Sequence, residues 1–143
     1  MKSASPEARV TIRAARAEDF AAIARIQSAS PEAAQWEPAD YECLVACSDG
    51  ELAGFLVFRK TAVTELELLN LAVAPPFRRQ GVARQVMRFM LSGHRGEVFL
   101  EVRESNQTAR KFYESIGFQE IGCRRDYYKN PVESGIVMKF LSC

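Results

Sequence analysis

The sequence predicts an α/β domain built on a mixed, mostly antiparallel central sheet that is flanked by helices. Between Cys43 and Val73 the chain contains several consecutive segments with alternating apolar and polar residues, as expected of neighbouring strands. A strand and a helix precede them. The last of these segments begins the first of two strand–helix pairs, and two closing strands follow. This order indicates a mixed sheet rather than a doubly wound parallel one.

The first elements are short. Val10 and Ile12 alternate with polar neighbours and predict a half-buried strand. The next segment places Phe20, Ile23 and Ala24 on one face of an amphipathic helix. Residues 30–40 contain two prolines and the single tryptophan, and their pattern fits a short helix or a loop.

A hairpin and a long strand are predicted next. The strands Cys43–Ser48 and Leu52–Arg59 flank Asp49-Gly50, a pair that tolerates the positive φ of a tight turn. A further strand, Glu65–Val73, is ended by Pro75-Pro76, because proline cannot donate a ladder hydrogen bond.

The second half of the chain holds the two strand–helix pairs and the closing strands. Asn106 is predicted to cap the second of these helices, and Gly117 to end it. In chain order the remaining predictions are a helix over Val82–Leu91, with Val82, Val86, Phe89 and Met90 on its apolar face, a strand over Val98–Val102, a helix carrying Ala109, Phe112, Tyr113 and Ile116, and strands over Phe118–Ile121 and Gly135–Phe140.

Composition bounds the class of protein. The 143 residues suffice for one domain, and 48% hydrophobic with 26% charged residues is typical of a soluble globular protein. The formal net charge of +1 offers no global field for nucleic acid or an anionic membrane. Residues 1–143 are therefore predicted to be a single domain, with a loose polar tail over 1–9 that lacks a secretion signal, and a cytoplasmic location is expected.

Metal chemistry is not predicted. The four cysteines show no C-x-x-C spacing, and only one histidine is present. Reduced thiols, some of them packed as small apolar side chains, are the expected state.

A basic loop between a strand and a helix is the first segment that predicts a ligand. It reads Arg78-Arg79-Gln80-Gly81-Val82-Ala83-Arg84. A helix start offers unpaired N–H groups and a partial positive charge, and Gly81 lets backbone approach an anion closely. The loop is neither a Walker loop nor a G-x-G-x-x-G motif, and it predicts a site for a pyrophosphate.

Two blocks of sequence together resemble the GNAT family of N-acetyltransferases. Arg78 to Ala83 matches the coenzyme A motif [RQ]-x-x-G-x-[GA], and residues 100–118 resemble the closing strand–helix unit of the family. The strings L-E-V-R-x-S-N and F-Y-E-S-I-G-F are most similar to the bacterial RimI type, which acetylates the N-terminal alanine of small-subunit ribosomal protein eighteen. The resemblance covers roughly residues 9–141.

The resemblance implies acetyl-coenzyme A as acetyl donor, held where two strands of the sheet splay apart. It implies that backbone groups of the third long strand bind the pantetheine arm, that amides of the basic loop bind the diphosphate, and that Asn106 contacts the cofactor. The implied cofactor-binding residues are Leu71, Ala72, Val73, Arg79, Gln80, Gly81, Val82, Ala83, Arg84 and Asn106. Leu71 and Val73 also fit plain buried strand residues, and Asn106 a simple helix cap.

The same resemblance implies Glu101 as general base and Tyr113 as general acid. An amine attacks a thioester only after it loses a proton, and the thiolate leaves more easily when it is protonated. Glu101 needs burial to raise its pKa, or acts through one water. Tyr113 is a weaker acid than a thiol by about 2 kcal/mol, so it needs local help or acts by hydrogen bonding the sulfur. A solvent-facing Glu101 and a core-packed Tyr113 are the competing interpretations.

The acceptor is the least determined part of the prediction. An N-terminal α-amine is easier to deprotonate than a lysine by about 3 kcal/mol, which favours a protein N-terminus. Candidate walls of its groove are Trp36, Glu37 and Tyr127-Tyr128. Glu37 and Asp40 fit either partners of a basic peptide or plain solvated charges, and Ser134-Gly135 departs from the RimI pattern. Another protein terminus, a small amine, or a coenzyme A-binding module without catalysis are the alternatives. Neither nucleic acid nor a membrane is expected as a partner. The protein is expected to be a monomer or a weak homodimer.

Overall fold

The computed structural model describes residues 9–29 and 41–142. Within them, seven strands form one mixed sheet that is accompanied by three α-helices. The elements are β1 (Thr11–Ala14), α1 (Phe20–Ser28), β2 (Glu42–Ser48), β3 (Glu51–Ala62), β4 (Glu65–Val73), α2 (Val82–Ser92), β5 (Gly96–Arg103), α3 (Gln107–Ile116), β6 (Gln119–Tyr128) and β7 (Glu133–Ser142).

The strand order across the sheet is β1-β2-β3-β4-β5-β7-β6. Strands β1 and β2, β2 and β3, β5 and β7, and β6 and β7 pair antiparallel. Strands β4 and β5 pair in parallel, from Glu65 with Glu97 to Glu67 with Phe99. The predicted mixed, mostly antiparallel sheet is therefore confirmed.

The chain divides into two compact units, Met1–Arg59 with Leu69–Gly93 and Lys60–Leu68 with His94–Cys143. In the first unit, β2 and β3 bury Val45, Phe55 and Val57. Ile23 and Ile26 of α1, Ala72 of β4 and Ala74 complete this core cluster. A second cluster joins Ala46, Ala53 and Val82.

The turn between β2 and β3 is the predicted hairpin. Asp49 and Gly50 both have positive φ, 51° and 78°, as a tight two-residue turn requires. The long strand was also predicted correctly, since β4 spans Glu65–Val73.

The apolar faces of two helices differ from the prediction. In α1 the buried stripe runs through Ile23 and Ile26, whereas Phe20 is 43% exposed and Ala24 is exposed. In α2 the buried residues are Val82, Val86, Met87, Met90 and Leu91, and Phe89 is 48% exposed. At 100° per residue, Phe20, Ala24 and Phe89 lie about 90–130° from the centre of the buried stripe of their own helix. An apolar side chain was therefore not enough to place a residue on the buried face.

The core of the second unit lies where β5 pairs with β7. Leu100 pairs with Met138 and Val102 with Ile136, and these four residues are buried. Phe118, just after α3, packs its ring 5.4 Å from that of Phe140, centroid to centroid. At Gly117 an added Cβ would lie 2.9 Å from Cε2 of Phe140, so the helix ends where only glycine fits.

Strand β6 is longer than predicted. It continues to Tyr128, although residues 119–127 are all exposed and show no alternation of burial. Its backbone pairs with β7, with register shifts after Glu120 and Arg124. An edge strand that is exposed on both faces shows no alternation of apolar and polar residues, so the predicted strand ended too early, at Ile121.

Candidate active site

The loop before α2 has the backbone form that the sequence predicted for an anion site. Arg79 and Gly81 both have positive φ, 63° and 77°. Gly81 is the N-cap of α2 and brings no side-chain cap to the first turn. The amide of Gln85 donates to Gly81 O at 3.0 Å, which begins the helical ladder. The N–H groups ahead of it point out of the helix end, together with the positive end of its dipole.

Two side chains stabilise this loop. Nε of Arg78 donates to Val73 O and its Nη2 to Ala29 O, both at 3.1 Å. The side-chain amide of Gln80 donates to Pro76 O at 2.9 Å. Arg78, which the sequence suggested as a source of positive charge, thus also ties the loop to β4 and to the end of α1.

Backbone approaches closely where β3 passes β4. An added Cβ at Gly54 would lie 2.9 Å from Ala72 O and 3.3 Å from Cγ1 of Val82. Ala74 N donates to Ala53 O at 2.7 Å. Gly54 permits this close approach of β3 to β4, and the sequence did not predict that role. A glycine inside a strand was the only available signal for it.

Glu101 lies on β5 with its side chain only 19% exposed. Its Oε2 is buried and has no hydrogen-bond partner among the described residues. Its Oε1 is 3.6 Å from Nη1 of Arg124. Burial raises the pKa of Glu101; Arg124 lowers it and Glu67 raises it further. A carboxyl group of this kind is a better proton acceptor than a solvated one.

Tyr128 and Gly135 border the same carboxyl group. An added Cβ at Gly135 would lie 2.6 Å from Oε2 of Glu101 and 3.2 Å from Cε2 of Tyr128. Burial, followed by the charge of Glu101, raises the pKa of Tyr128 to about 12. Tyr128 was predicted as a wall of the acceptor groove, and Gly135 belongs to a departure from the RimI pattern; neither was predicted to lie beside Glu101.

Tyr113 packs in an aromatic cluster on α3. Its ring centroid lies 5.2 Å from that of Phe112 and 5.6 Å from that of Phe118, in edge-on arrangements. Burial raises the pKa of Tyr113, so the phenol stays protonated at neutral pH. It is therefore equipped to donate a hydrogen bond and poorly equipped to release its proton.

Asn106 is the N-cap of α3. Its Oδ1 accepts a hydrogen bond from Ala109 N at 3.1 Å. The cap uses the oxygen of the side chain, and a ligand contact would have to use the amide nitrogen.

The other candidates contribute less. Trp36, Glu37 and Asp40 lie outside the described residues. Cys43, Cys47 and Cys123 are free thiols, and burial raises the pKa of Cys43 to about 11. No group of three potential metal ligands is found in residues 9–29 and 41–142. Over the same residues no helix combines the length and apolar character that crossing a bilayer requires.

The predicted residues fall into two sets. The first unit holds Leu71, Ala72, Val73 and the loop Arg79 to Arg84, and the second holds Glu101, Asn106 and Tyr113. In the first set the loop presents backbone donors. In the second, Glu101 has a buried carboxyl oxygen, and Tyr128, Gly135 and Arg124 lie around the carboxyl group.

The glycine-capped basic loop carries the motif by which the sequence resembles the GNAT acetyltransferases. The family model described as Acetyltransferase (GNAT) family matches residues 11–118. The chain belongs to the GNAT family, as the sequence motifs predicted.

Similar proteins agree with this assignment. The [Ribosomal protein bS18]-alanine N-acetyltransferase of Haemophilus ducreyi is 38% identical over 76 residues, which are 50% of this chain and 52% of that protein. The chain thus spans about half the length of this relative. The crystal structure of the ribosomal-protein-S18-alanine N-acetyltransferase from Escherichia coli superposes with a TM-score of 0.79 at 27% identity, over 94% of both chains. A spermidine N-acetyltransferase mutant from Vibrio cholerae, 18% identical over 93% of this chain and 94% of its own, shares the fold with a TM-score of 0.80.

Proposed function

We propose that the protein is an acetyl-coenzyme A-dependent N-acetyltransferase of the RimI type, which acetylates the N-terminal alanine of ribosomal protein bS18. The proposed catalysis rests on one observation: the carboxyl group of Glu101 is half-buried, and one of its oxygens is buried without a hydrogen-bond partner among the described residues. The relatives named for bS18 support the acceptor.

The cofactor fits the residues of the loop. Gly81 leaves the start of α2 open, so the amides of Arg79 to Arg84 can bind the diphosphate. Asn106 has an amide nitrogen to offer, and the backbone of Leu71, Ala72 and Val73 would bind the pantetheine arm. Acetyl-coenzyme A supplies the acetyl group as a thioester. The residues of the chain bind it, orient it and handle the protons.

Glu101 takes a proton from the acceptor ammonium, directly or through one water. Burial raises its pKa towards that of an α-amine, which is near 8, and so narrows the gap over which the proton moves. Deprotonating a lysine side chain, whose pKa is near 10.4, would cost about 3 kcal/mol more. Because burial raises the pKa of Tyr113, its phenol stays protonated, and its role in this proposal is to donate a hydrogen bond to the thiolate sulfur.

The acceptor is tested by thiol release from acetyl-coenzyme A. We expect a basic peptide that begins with the bS18 alanine to stimulate release at least about tenfold over the same peptide with a blocked N-terminus. The blocked peptide keeps every side-chain amine and is therefore the matched control.

Three results would contradict the proposed function. Stimulation by spermidine and other small amines alone would make the protein a small-molecule acetyltransferase. Stimulation by unrelated N-termini, but not by the alanine peptide, would assign it to another protein terminus. Binding of the donor without release under any condition would leave a coenzyme A-binding module.

A further inference from the structure

Arg103, the last residue of β5, lies at the centre of a network that reaches the connection between β6 and β7. Its Nη2 donates to Lys129 O and its Nη1 to Pro131 O, each at 3.2 Å. Nη1 also lies 3.3 Å from Oε1 of Glu133. Such a fork of donors fixes the guanidinium plane far better than a single ammonium could.

Glu133, the acidic partner of Arg103, is itself fixed by a backbone hydrogen bond. Oε2 of Glu133 accepts a hydrogen bond from Ser105 N at 2.5 Å. The bonds from Ser105 and Arg103 lower the pKa of Glu133, so it stays ionised at neutral pH. The side chains of Arg103 and Glu133 are only 26% and 16% exposed, and this pair is therefore less screened than a surface ion pair.

One face of the guanidinium contacts Tyr128. Its Cζ lies 4.5 Å from the centroid of the Tyr128 ring, which is the distance of a cation–π contact. The ring edge and Oε2 of Glu101 both border the space above Gly135, at 3.2 Å and 2.6 Å from an added Cβ. Arg103, Tyr128, Gly135 and Glu101 thus form one continuous packed series.

We propose that Arg103 is a positioning residue for the reaction: it holds the Tyr128 ring above Gly135, where the ring keeps water from Oε2 of Glu101. The inference rests on the proposed function, because it assumes that Glu101 is the base. Arg103 itself touches neither the acceptor nor the thioester in this role. It acts through the tyrosine.

The charges that face Glu101 determine the sign of the expected effect. Arg124 of β6 lowers the pKa of Glu101, Glu67 of β4 raises it, and Tyr128 stays neutral at pH 7. Strand β7 contributes the uncharged Gly135 at this point. Burial is the largest cause of the raised pKa, so admitting water must lower the pKa. A base works only when ionised, and the acid limb of its pH profile must then move to lower pH.

The test compares pH profiles of kcat for Arg103→Met and for Arg110→Met. Arg110 is the matched control, since its guanidinium also binds a glutamate and a backbone carbonyl, Glu120 and Glu104 O, in the same unit. For Arg103→Met we expect kcat to fall about tenfold and the acid limb that Glu101→Gln abolishes to move to lower pH. For Arg110→Met the limb should stay at the wild-type position.

An unshifted limb in folded Arg103→Met would overturn the inference, and so would an equal shift in both variants. If circular dichroism shows that Arg103→Met does not fold, Tyr128→Ala is tested in its place. Removing the ring must shift the acid limb to lower pH. An unshifted limb in Tyr128→Ala would contradict the proposal. Failure of the proposed function is seen separately, as absence of thiol release in the wild-type protein.

Discussion

Glu101 combines a favourable position for catalysis with a cost in stability. Because burial raises its pKa above the unfolded value, the folded state holds the proton more tightly than the unfolded state does. The stabilisation from this group is present below the unfolded pKa and is lost as the pH rises through the folded pKa. Above that pKa the protein carries a carboxylate that its fold does not favour, as is common at functional sites.

Replacing Glu101 by glutamine should reveal both effects. We expect kcat to fall about 100-fold, with little change in affinity for acetyl-coenzyme A, because the proton acceptor is lost and the binding loop is not. Thermal unfolding should show a higher midpoint than wild type at pH 8, and a smaller difference at pH 4. Steady-state kinetics and calorimetry measure these quantities.

Glu97→Gln is the control for this substitution. Glu97 lies on the same strand, four residues earlier, and forms an ion pair with Lys139. Its removal should leave kcat unchanged. A wild-type rate in Glu101→Gln would remove Glu101 from the catalytic residues, and a lower midpoint at pH 8 would contradict the stability argument.

At the scale of elements, the start of α3 tests whether Asn106 does more than cap a helix. Asn106→Ala should lose about 1 kcal/mol of stability, because Ala109 N loses its acceptor. Asn106→Ser keeps a capping oxygen but lacks the amide nitrogen. If that nitrogen contacts the cofactor, the serine variant should be as stable as wild type and bind acetyl-coenzyme A about fivefold more weakly. Equal binding by both proteins would leave Asn106 as a cap only.

The elements that the sequence predicted well are those with a local cause. Asp49-Gly50 determined the hairpin, alternation determined β4, and Asn106 with Gly117 bounded α3. The less accurate predictions concern features set by tertiary contacts. The half-buried Gln27 flanks the buried stripe of α1, and its Oε1 accepts a hydrogen bond from Nδ2 of the buried Asn70. A search for apolar residues does not find such a pair.

The candidate site shows the same division. The loop with Gly81 could be predicted because its motif is contiguous and its backbone demand is local. Gly54 and Gly135 matter because of what approaches them across strands, and no spacing in the sequence reveals this. The contact of Arg103 with Tyr128 joins residues far apart in sequence, and only strand pairing brings them together.

For the molecule as a whole, the fold does not determine the acceptor. The chain shares its fold with an enzyme named for a ribosomal alanine and with one named for spermidine. Its net charge of +1 adds no preference for a strongly charged partner. The choice of amine must therefore come from individual side chains, whereas the acetyl donor is expected to depend on the loop that the family motif defines.

Calorimetric titration with acetyl-coenzyme A tests most directly whether that loop binds the donor. Wild-type protein should bind one equivalent, and Gly81→Glu should lose at least about 100-fold in affinity, roughly 2.7 kcal/mol, because a carboxylate then occupies the place of the diphosphate. Gly50→Glu is the matched control, since Gly50 has φ 78° against 77° at Gly81 and pays the same backbone cost in a hairpin turn. It should bind like wild type. Absence of binding by the wild-type protein, or undiminished binding by Gly81→Glu, would contradict the account.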